Sequence, residues 1–193
     1  GKADRSKAGV SPGLLVANEI HPVRAKALLH NLELTGTDNY CVLNETPERL
    51  ASVFPEYFDA VLVDAPCSGE GMFRKEEAAL QLWSPGRVEA CAKQQREILK
   101  QAYSMLRPGG YLLYSTCTFS PEENEEQIDA LLAEHREMQV LSQQRLWPHQ
   151  AEGEGHFMCL MQKGTDVFSA QEKTGCSSFA KDKEKCCSDM QEI

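Results

Sequence analysis

Long hydrophobic runs are absent from this 193-residue sequence. Apolar stretches such as 60–63 and 111–114 are far shorter than the roughly 20 residues that a membrane-spanning helix needs. The N-terminus, which begins with Gly1 rather than Met, also lacks the apolar core of a signal peptide. We therefore predict a cytoplasmic protein without a membrane span, in a chain that begins inside a longer reading frame.

Cysteine pairs with metal-binding spacing are also absent. The chain has eight cysteines, but no Cys-x-x-Cys occurs and no histidine is suitably spaced to complete a zinc site. Five cysteines lie singly in strand-like or helix-like segments, at positions 41, 67, 91, 117 and 159. This distribution favours reduced thiols over a disulfide scaffold. We predict no metal site.

Positive charge is scarce, since 20 Lys and Arg face 29 Asp and Glu, which leaves a net charge of −9. Nonspecific binding of nucleic acid depends on clustered Lys and Arg, so this balance argues against it. Much of the acidic charge is local, however, because it crowds residues 122–129. A smaller basic surface for a specific nucleic acid remains compatible with the composition.

Strand-like and helix-like patterns alternate along the chain. Near-continuous apolar runs predict buried strands at 13–18, 40–43, 59–64 and 111–116. Helices are predicted from Pro22 to a stop at Gly36, over 47–53, and over 87–106 with an end at Arg107–Gly110. This alternation predicts an α/β fold with a mostly parallel, doubly wound sheet.

The C-terminal part contains one more helix and one more strand. Ser120-Pro-Glu-Glu123 has the pattern of a capping box and predicts a helix start, with the run Glu122–Glu126 as a surface feature. Residues 156–163 are predicted to form a closing edge strand, antiparallel to the sheet. The boundaries are then an irregular start over 1–12, one folded domain over 13–163 and a polar, disordered tail over 164–193.

Reactive side chains follow the ends of two predicted strands. Asp64 and Cys67 lie in Asp-Ala-Pro-Cys-Ser-Gly-Glu-Gly, and Cys117 follows the next strand in Ser-Thr-Cys-Thr. Ligands of parallel sheets bind beyond the carboxyl ends of the strands, so we expect both thiols and the carboxylate to face one cleft. The glycines leave room for close approach of the backbone, and such a loop can hold a planar base.

These groups suit methylation of a pyrimidine ring at C5. That carbon is a poor nucleophile until a thiolate adds at C6 and converts the ring into an enamine. A carboxylic acid stabilises charge that develops near N3, and a second group assists loss of the C5 proton or release of the adduct. Asp64 and the second cysteine could supply these roles. Cys117 also precedes a predicted helix start, whose dipole lowers a thiol pKa modestly.

Structural roles compete with each of these interpretations. A cysteine in an α/β core is more often a small buried apolar residue than a nucleophile. Glu19, after the first predicted strand, could be a solvated acid. Arg74 and Lys75 could be solvated charges or phosphate contacts, and Trp83 could pack or stack on a base.

Three segments resemble the Nop/Sun family of RNA (cytosine-5) methyltransferases, most closely its bacterial ribosomal-RNA branch. They are 64–75, 115–124 and Trp147-Pro-His149, and the resemblance extends over roughly 13–163. It implies a Rossmann-like class I methyltransferase fold, with 13–163 as an incomplete catalytic domain. It also implies S-adenosylmethionine as the cofactor and RNA, of the ribosomal class, as the partner.

The resemblance assigns roles to individual residues. Cys117 corresponds to the nucleophile, Cys67 to the thiol that assists adduct release, and Asp64 to the motif-four acid that borders both base and cofactor. Glu19 corresponds to the acid that binds the cofactor ribose hydroxyls. The family usually has Asp near the cofactor adenine, where the ungapped register places Thr46, and Asn44 or Thr46 could substitute by hydrogen bonding. Apart from the resemblance, we assign Arg74 and Lys75 to RNA phosphates.

One part of the family pattern is not found. The Ala-Pro-Gly-Gly-Lys loop and the strand before it, which cradle the methionine end of the cofactor, have no counterpart beyond Gly1-Lys2. Three hypotheses stay open: an RNA methyltransferase, an inactive remnant that binds RNA or a protein, and a DNA methyltransferase in which Cys67 is the nucleophile. The target nucleotide and the oligomeric state do not follow from the sequence.

Overall fold

The computed structural model describes residues 13–150 and 153–165. The predicted irregular start over 1–12 and the predicted tail beyond residue 165 lie outside the described residues. Within these ranges the chain forms β1 (Leu15–Asn18), α1 (Pro22–Thr35), β2 (Tyr40–Leu43), α2 (Pro47–Val53), β3 (Phe58–Asp64), α3 (Glu77–Leu82), α4 (Pro85–Met105), β4 (Leu106–Thr116), α5 (Glu125–Glu134), β5 (Met138–Leu146) and β6 (His156–Lys163). Short 3-10 turns at Glu70–Met72 and Pro121–Glu123 follow β3 and β4.

The strands form two hydrogen-bonded groups. β1 and β2 pair in parallel as a two-stranded sheet, and the other group has the order β3-β4-β6-β5. β3 and β4 are parallel, whereas β6 is antiparallel to both of its neighbours. Each parallel pair is joined through helices, so the predicted α/β fold is confirmed. No helix in residues 13–150 or 153–165 is long and apolar enough to cross a membrane.

Local signals placed most elements correctly. Pro22 occupies the first turn of α1, and Gly36 ends that helix in the left-handed region at φ 67°. The predicted bounds of α2 agree with the structure, and Thr46 is its N-cap. α4 begins two residues earlier than the predicted residue 87, because the Ser84 side chain accepts a hydrogen bond from Arg87 N and so caps the helix.

The predicted edge position of the last strand is wrong. β6 is antiparallel, as expected, but it lies between β4 and β5. Patterns in the sequence did not indicate β5, whose residues Met-Gln-Val-Leu-Ser-Gln-Gln-Arg-Leu are mainly exposed. An edge strand buries little of its surface, so its sequence stays polar and lacks the apolar alternation seen in β6.

The segment Arg107–Gly110 is part of β4 rather than a linker between α4 and that strand. The pairing with β3 jumps from Phe58 beside Leu106 to Ala60 beside Tyr111, so the intervening residues bulge out of register. Gly109 supplies the required positive φ of 77°. The bulge lets the chain turn from helix into strand without an intervening loop.

The main core surrounds β4. Its members come from α4, β4, α5 and β6 as well as from β3 and β5, and they include Leu99, Leu106, Leu112, Tyr114, Ile128, Phe157, Cys159 and Met161. A second and smaller cluster of Leu43, Phe54 and Met105 lies beside β2 and α2. The larger core therefore supports the strand ends that carry the two cysteines.

Candidate active site

The thiols of Cys67 and Cys117 are in contact, with their Sγ atoms 3.3 Å apart. β3 and β4 run in parallel with Asp64 beside Ser115, so the residues that follow each strand emerge at the same edge. Ala65 N continues the pairing by donating to Ser115 O at 2.9 Å. The predicted proximity of the two thiols is confirmed.

The contact makes the two thiols unequal. A hydrogen bond from Cys67 lowers the pKa of Cys117, although partial burial and the charge of Asp64 oppose this effect. The same hydrogen bond, together with burial, raises the pKa of Cys67. Because the thiolate is the reactive form of cysteine, this inequality has the direction that a nucleophilic Cys117 and a proton-donating Cys67 would require.

The α-helix that the sequence predicts to begin at Ser120-Pro121 starts later in the structure. After Cys117 the chain forms only the 3-10 turn Pro121–Glu123, and α5 begins at Glu125. Asn124, with φ −117° and ψ −94°, breaks the helical path between them. The largest cause of the lowered pKa of Cys117 is its hydrogen bond with the Cys67 thiol.

Asp64 is the last residue of β3 and lies beside the thiols. Its Oδ1 accepts a hydrogen bond from the Ser115 hydroxyl at 3.1 Å. The carboxylate is exposed, and its charge raises the pKa of Cys117. The predicted grouping of two thiols with one carboxylate at this sheet edge is therefore present.

Glu70 binds the segment that follows Cys117. Its Oε2 accepts from Phe119 N at 2.9 Å and from the Thr118 hydroxyl at 3.1 Å. Its Oε1 accepts from the Ser120 hydroxyl at 3.0 Å and from Trp83 Nε1 at 2.9 Å. Both carboxylate oxygens of Glu70 are thus engaged. The indole N–H of Trp83 is held by Glu70, which gives this side chain a structural role.

Glu123 binds the segment that follows Cys67. Its Oε2 accepts from Ser68 N at 2.9 Å and from Gln95 Nε2 at 2.8 Å. The Glu123 side chain is 0% exposed. The prediction that Glu122–Glu126 is only a surface feature is therefore wrong at this residue.

The predicted capping box is also wrong. Ser120 makes no side-chain cap bond, because its hydroxyl donates to Glu70. Glu123, which a capping box would turn back to the Ser120 backbone, instead reaches Ser68 on the loop after β3. Tertiary partners compete successfully for both side chains. Nothing in the local pattern distinguishes this outcome from an ordinary helix start.

Close backbone approach joins the two loops, as the glycines predicted. Gly71 N donates to Cys117 O at 2.9 Å. A Cβ on Gly71 would lie 2.9 Å from that oxygen and 2.4 Å from Gly155 O. Such distances are too short for any side chain, so glycine is required at this position.

The residues assigned to the cofactor lie at the ends of β1 and β2. Glu19 Oε1 accepts from His21 N at 2.8 Å, and Oε2 accepts from the Arg24 guanidinium. Partial burial raises the pKa of Glu19, but these two hydrogen bonds outweigh it and lower the pKa overall. Asn44 Nδ2 donates to Glu19 O at 2.6 Å and so ties the two strand ends together.

Thr46 and the basic pair have simpler surroundings. The Thr46 hydroxyl accepts from Arg49 N at 3.4 Å and caps α2. Arg74 and Lys75 are exposed after the 3-10 turn that follows Cys67. In the described part of the chain, no three His, Cys, Asp or Glu residues form a group that could hold a metal ion.

An α/β sheet with an acid after β1 and thiols after β3 and β4 defines the class of the protein: a class I S-adenosylmethionine-dependent methyltransferase fold. Residues 8–162 match the 16S rRNA methyltransferase RsmB/F family, and the chain belongs to that family. The resemblance to the bacterial ribosomal-RNA branch is thereby confirmed. Ribosomal RNA small subunit methyltransferase F of Cronobacter sakazakii is 42% identical over 137 residues, which cover 70% of this chain and 28% of that protein.

Solved structures share the fold. PH0851 superposes with a TM-score of 0.73 at 29% identity, over 78% of this chain and 37% of that one. NSun6 from Pyrococcus horikoshii, determined with SFG, gives a TM-score of 0.66 at 26% identity, over 80% of this chain and 42% of that one. The chain therefore spans well under half the length of these relatives.

Proposed function

We propose that this chain is the catalytic part of an enzyme that methylates C5 of a cytosine in ribosomal RNA through a covalent adduct with Cys117. The observation that carries the proposal is the 3.3 Å contact between the Cys67 and Cys117 thiols beside Asp64. Membership of the 16S rRNA methyltransferase RsmB/F family supports the reaction class and the substrate class.

Each group at the sheet edge has one task in this reaction. The Cys117 thiolate bonds to C6, which moves the ring electrons toward C5 and makes that carbon the methyl acceptor. Asp64, near N3, stabilises the charge that develops on the ring. After methyl transfer the C5 proton leaves, the bond between sulfur and C6 breaks, and Cys117 recovers the electron pair with assistance from Cys67.

S-adenosylmethionine, when bound, supplies the electrophilic methyl group. The polar groups at the ends of β1 and β2 fit its nucleoside part, because Oε1 of Glu19 keeps a lone pair beyond its contact with His21 N, whereas Oε2 accepts from both Nε and Nη2 of Arg24. The lone pair on Oε1 suits a ribose hydroxyl, and Asn44 and Thr46 suit the adenine edge. The described residues bring no glycine-rich loop to the methionine part.

The RNA substrate must present an unstacked base to this edge. A cytosine inside a duplex hides C5 and C6, so the target is unpaired or flipped out. Arg74 and Lys75 are the basic residues that we assign to phosphates beside it, since they are exposed after the loop of Cys67.

Trapping of the adduct tests this mechanism. In a 16S rRNA fragment containing 5-fluorocytidine, C5 carries fluorine in place of the proton that must leave after methyl transfer from S-adenosylmethionine. Elimination of Cys117 is then blocked, so the bond between enzyme and RNA persists and shifts the protein on a denaturing gel. We expect adduct with the wild type and with Cys91→Ala, none with Cys117→Ala, and retained adduct with Cys67→Ala. Adduct with Cys117→Ala but none with Cys67→Ala would assign the nucleophile to Cys67 instead.

A second candidate function is an inactive remnant that binds RNA or a protein partner. It is favoured by one observation, that β1-β2 shares no strand pairing with β3-β4-β6-β5 among the described residues. Titration calorimetry with S-adenosylmethionine separates the two candidates. Micromolar binding supports the enzyme, whereas absence of both binding and adduct supports the remnant.

A further inference from the structure

Two carboxylates join the cysteine loops in a crossed arrangement. Glu70 follows Cys67 in the chain but accepts hydrogen bonds from residues 118–120, after Cys117. Glu123 follows Cys117 in the chain but accepts from Ser68 N, after Cys67. Each loop therefore carries the side chain that holds the other loop. We call Glu70 and Glu123, with these contacts, the reciprocal clamp.

The clamp is reinforced between its two carboxylates. The hydroxyls of Ser68 and Thr118 are 2.8 Å apart, and Thr118 also donates to Glu70. Ser68, Thr118 and Glu123 are all nearly or wholly buried. Polar groups that are buried and paired are costly to separate, because each would lose its partner without gaining water. The clamp therefore restricts how far the loops can move apart.

The side-chain hydrogen bonds of the clamp lie outside the strand pairing and outside the main apolar core, although the backbone carbonyl of Glu123 accepts from the core residue Tyr114. The clamp determines the position of residues 67–71 relative to residues 117–120. That relation decides whether the Cys67 thiol reaches Cys117 and lowers its pKa.

We propose that Glu70 and Glu123 are positioning residues that hold the Cys67 and Cys117 thiols in contact. The catalytic purpose of this positioning rests on the proposed function. The contact between the thiols does not, because it is present whether or not the protein transfers a methyl group. This inference extends the site beyond Asp64 and the two cysteines to two acids whose carboxylates bind the cysteine loops.

The direction in which the pKa of Cys117 changes on substitution of Glu70 distinguishes a positioning effect from a direct effect of the lost charge. Removal of a negative charge near a thiol lowers the thiol pKa, because the thiolate becomes less disfavoured. Loss of the hydrogen bond from Cys67 raises the pKa of Cys117. An upward shift after removal of Glu70 therefore reports loss of the thiol contact and cannot come from the lost charge.

The experiment measures alkylation of Cys117 by iodoacetamide against pH, with peptide mapping to distinguish it from the other cysteines. In Glu70→Ala and Glu70→Gln we expect the midpoint to rise and the rate at pH 7 to fall by about three- to tenfold, since the thiolate fraction falls about tenfold per pKa unit. Glu126→Gln, an exposed acid in the first turn of α5, is the matched control and should behave as wild type.

A second readout covers Glu123. A diazene oxidant accepts two electrons and two protons from the two thiols, so that a disulfide forms and the diazene becomes a hydrazine. We expect the bond between Cys67 and Cys117 to form more slowly in Glu123→Gln, although loss of the Glu123 charge by itself favours the Cys117 thiolate. Unchanged midpoints and unchanged cross-linking in folded variants would overturn the proposal. Loss of the fold in both glutamine variants would also overturn it, since the carboxylates would then be purely structural.

Discussion

The two sheets of this protein differ in how deeply their side chains are buried. Around β4, the side chains of Leu106, Leu112 and Phe157 are 0% exposed, whereas Leu15 in β1 is 45% exposed. The outer side of β3 resembles β1, since Leu62 is 66% exposed although strands of parallel sheets are normally covered on both faces. The thiol site is therefore supported by a packed core. The proposed cofactor residues are held mainly by hydrogen bonds at exposed strand ends.

This difference teaches that the two halves of the proposed site should respond differently to mutation. Packing interactions resist change because a cavity in a dense core is costly. Hydrogen bonds between exposed groups exchange with water at little net cost. The following predictions compare the two halves, beginning with the largest expected effect.

Leu112→Ala should destabilise the protein by about 2–5 kcal/mol, because it opens a cavity in the core beneath the cysteine loops. Leu62→Ala removes the same side chain from the exposed side of β3 and should cost less than about 0.5 kcal/mol. Urea unfolding followed by circular dichroism measures both. Equal losses would show that the outer side of β3 is covered in solution and would remove the contrast between the packed core and the exposed strand surface.

Cys67→Ala should shift the reactivity of Cys117 toward higher pH. The lowered pKa of Cys117 lets its thiolate form below the ordinary thiol value of about 8.5, and that advantage depends on the hydrogen bond from Cys67. We expect alkylation of Cys117 at pH 7 to slow by roughly three- to tenfold. Cys91→Ala serves as the control, and an unshifted Cys67→Ala profile would mean that the thiol contact has no electrostatic effect.

Thr46→Ala should cost up to about 1 kcal/mol through loss of the N-cap of α2. Thr46→Ser keeps the capping hydroxyl and should leave the unfolding free energy nearly unchanged. Calorimetry with S-adenosylmethionine on both variants then tests whether Thr46 also contacts the adenine. If the affinity for S-adenosylmethionine falls only in the variant whose unfolding free energy also falls, Thr46 acts only as a capping residue.

Glu19→Gln should have the smallest effect on stability, about 0.5 kcal/mol at neutral pH, because Arg24 is largely exposed and solvent screens the pair. The folded-state pKa of Glu19 is lowered, so its contribution is complete above the ordinary carboxyl pKa and disappears as pH falls through the folded-state value. Wild type and variant should therefore converge in acid. A difference that persists there would point to packing rather than charge.

Local sequence signals were sufficient wherever apolar residues follow one another without interruption or a special residue ends an element. The apolar runs of β2 and β3, Pro22 at the start of α1 and Gly36 at its end all act within a few residues of chain. β5 could not be predicted in this way, because an edge strand takes its structure from its partner β6 and carries no alternation of its own.

Some residues of the candidate site could likewise be predicted from local sequence signals, and others could not. Asp64, Cys67 and Cys117 were singled out because each lies at or shortly after the end of an apolar strand, and parallel strands bring such residues to one edge. Glu70 and Glu123 were not found, because their partners lie 48 to 55 positions away in the chain. A carboxylate near a helix start looks the same in sequence whether it caps that helix or binds a distant loop.

The sequence by itself determined the alternation of strands and helices, the family, and the chemical groups available at the sheet edge. Each of these follows from the spacing of apolar residues or from residue type, which are local properties of the chain. Only the tertiary structure decided which thiol ionises first and which acids hold the loops together. The first outcome depends on a 3.3 Å contact between residues 50 positions apart, and the second on hydrogen bonds between residues 48 to 55 positions apart. Hydrogen bonds and charge interactions change steeply over such distances, which no local pattern encodes.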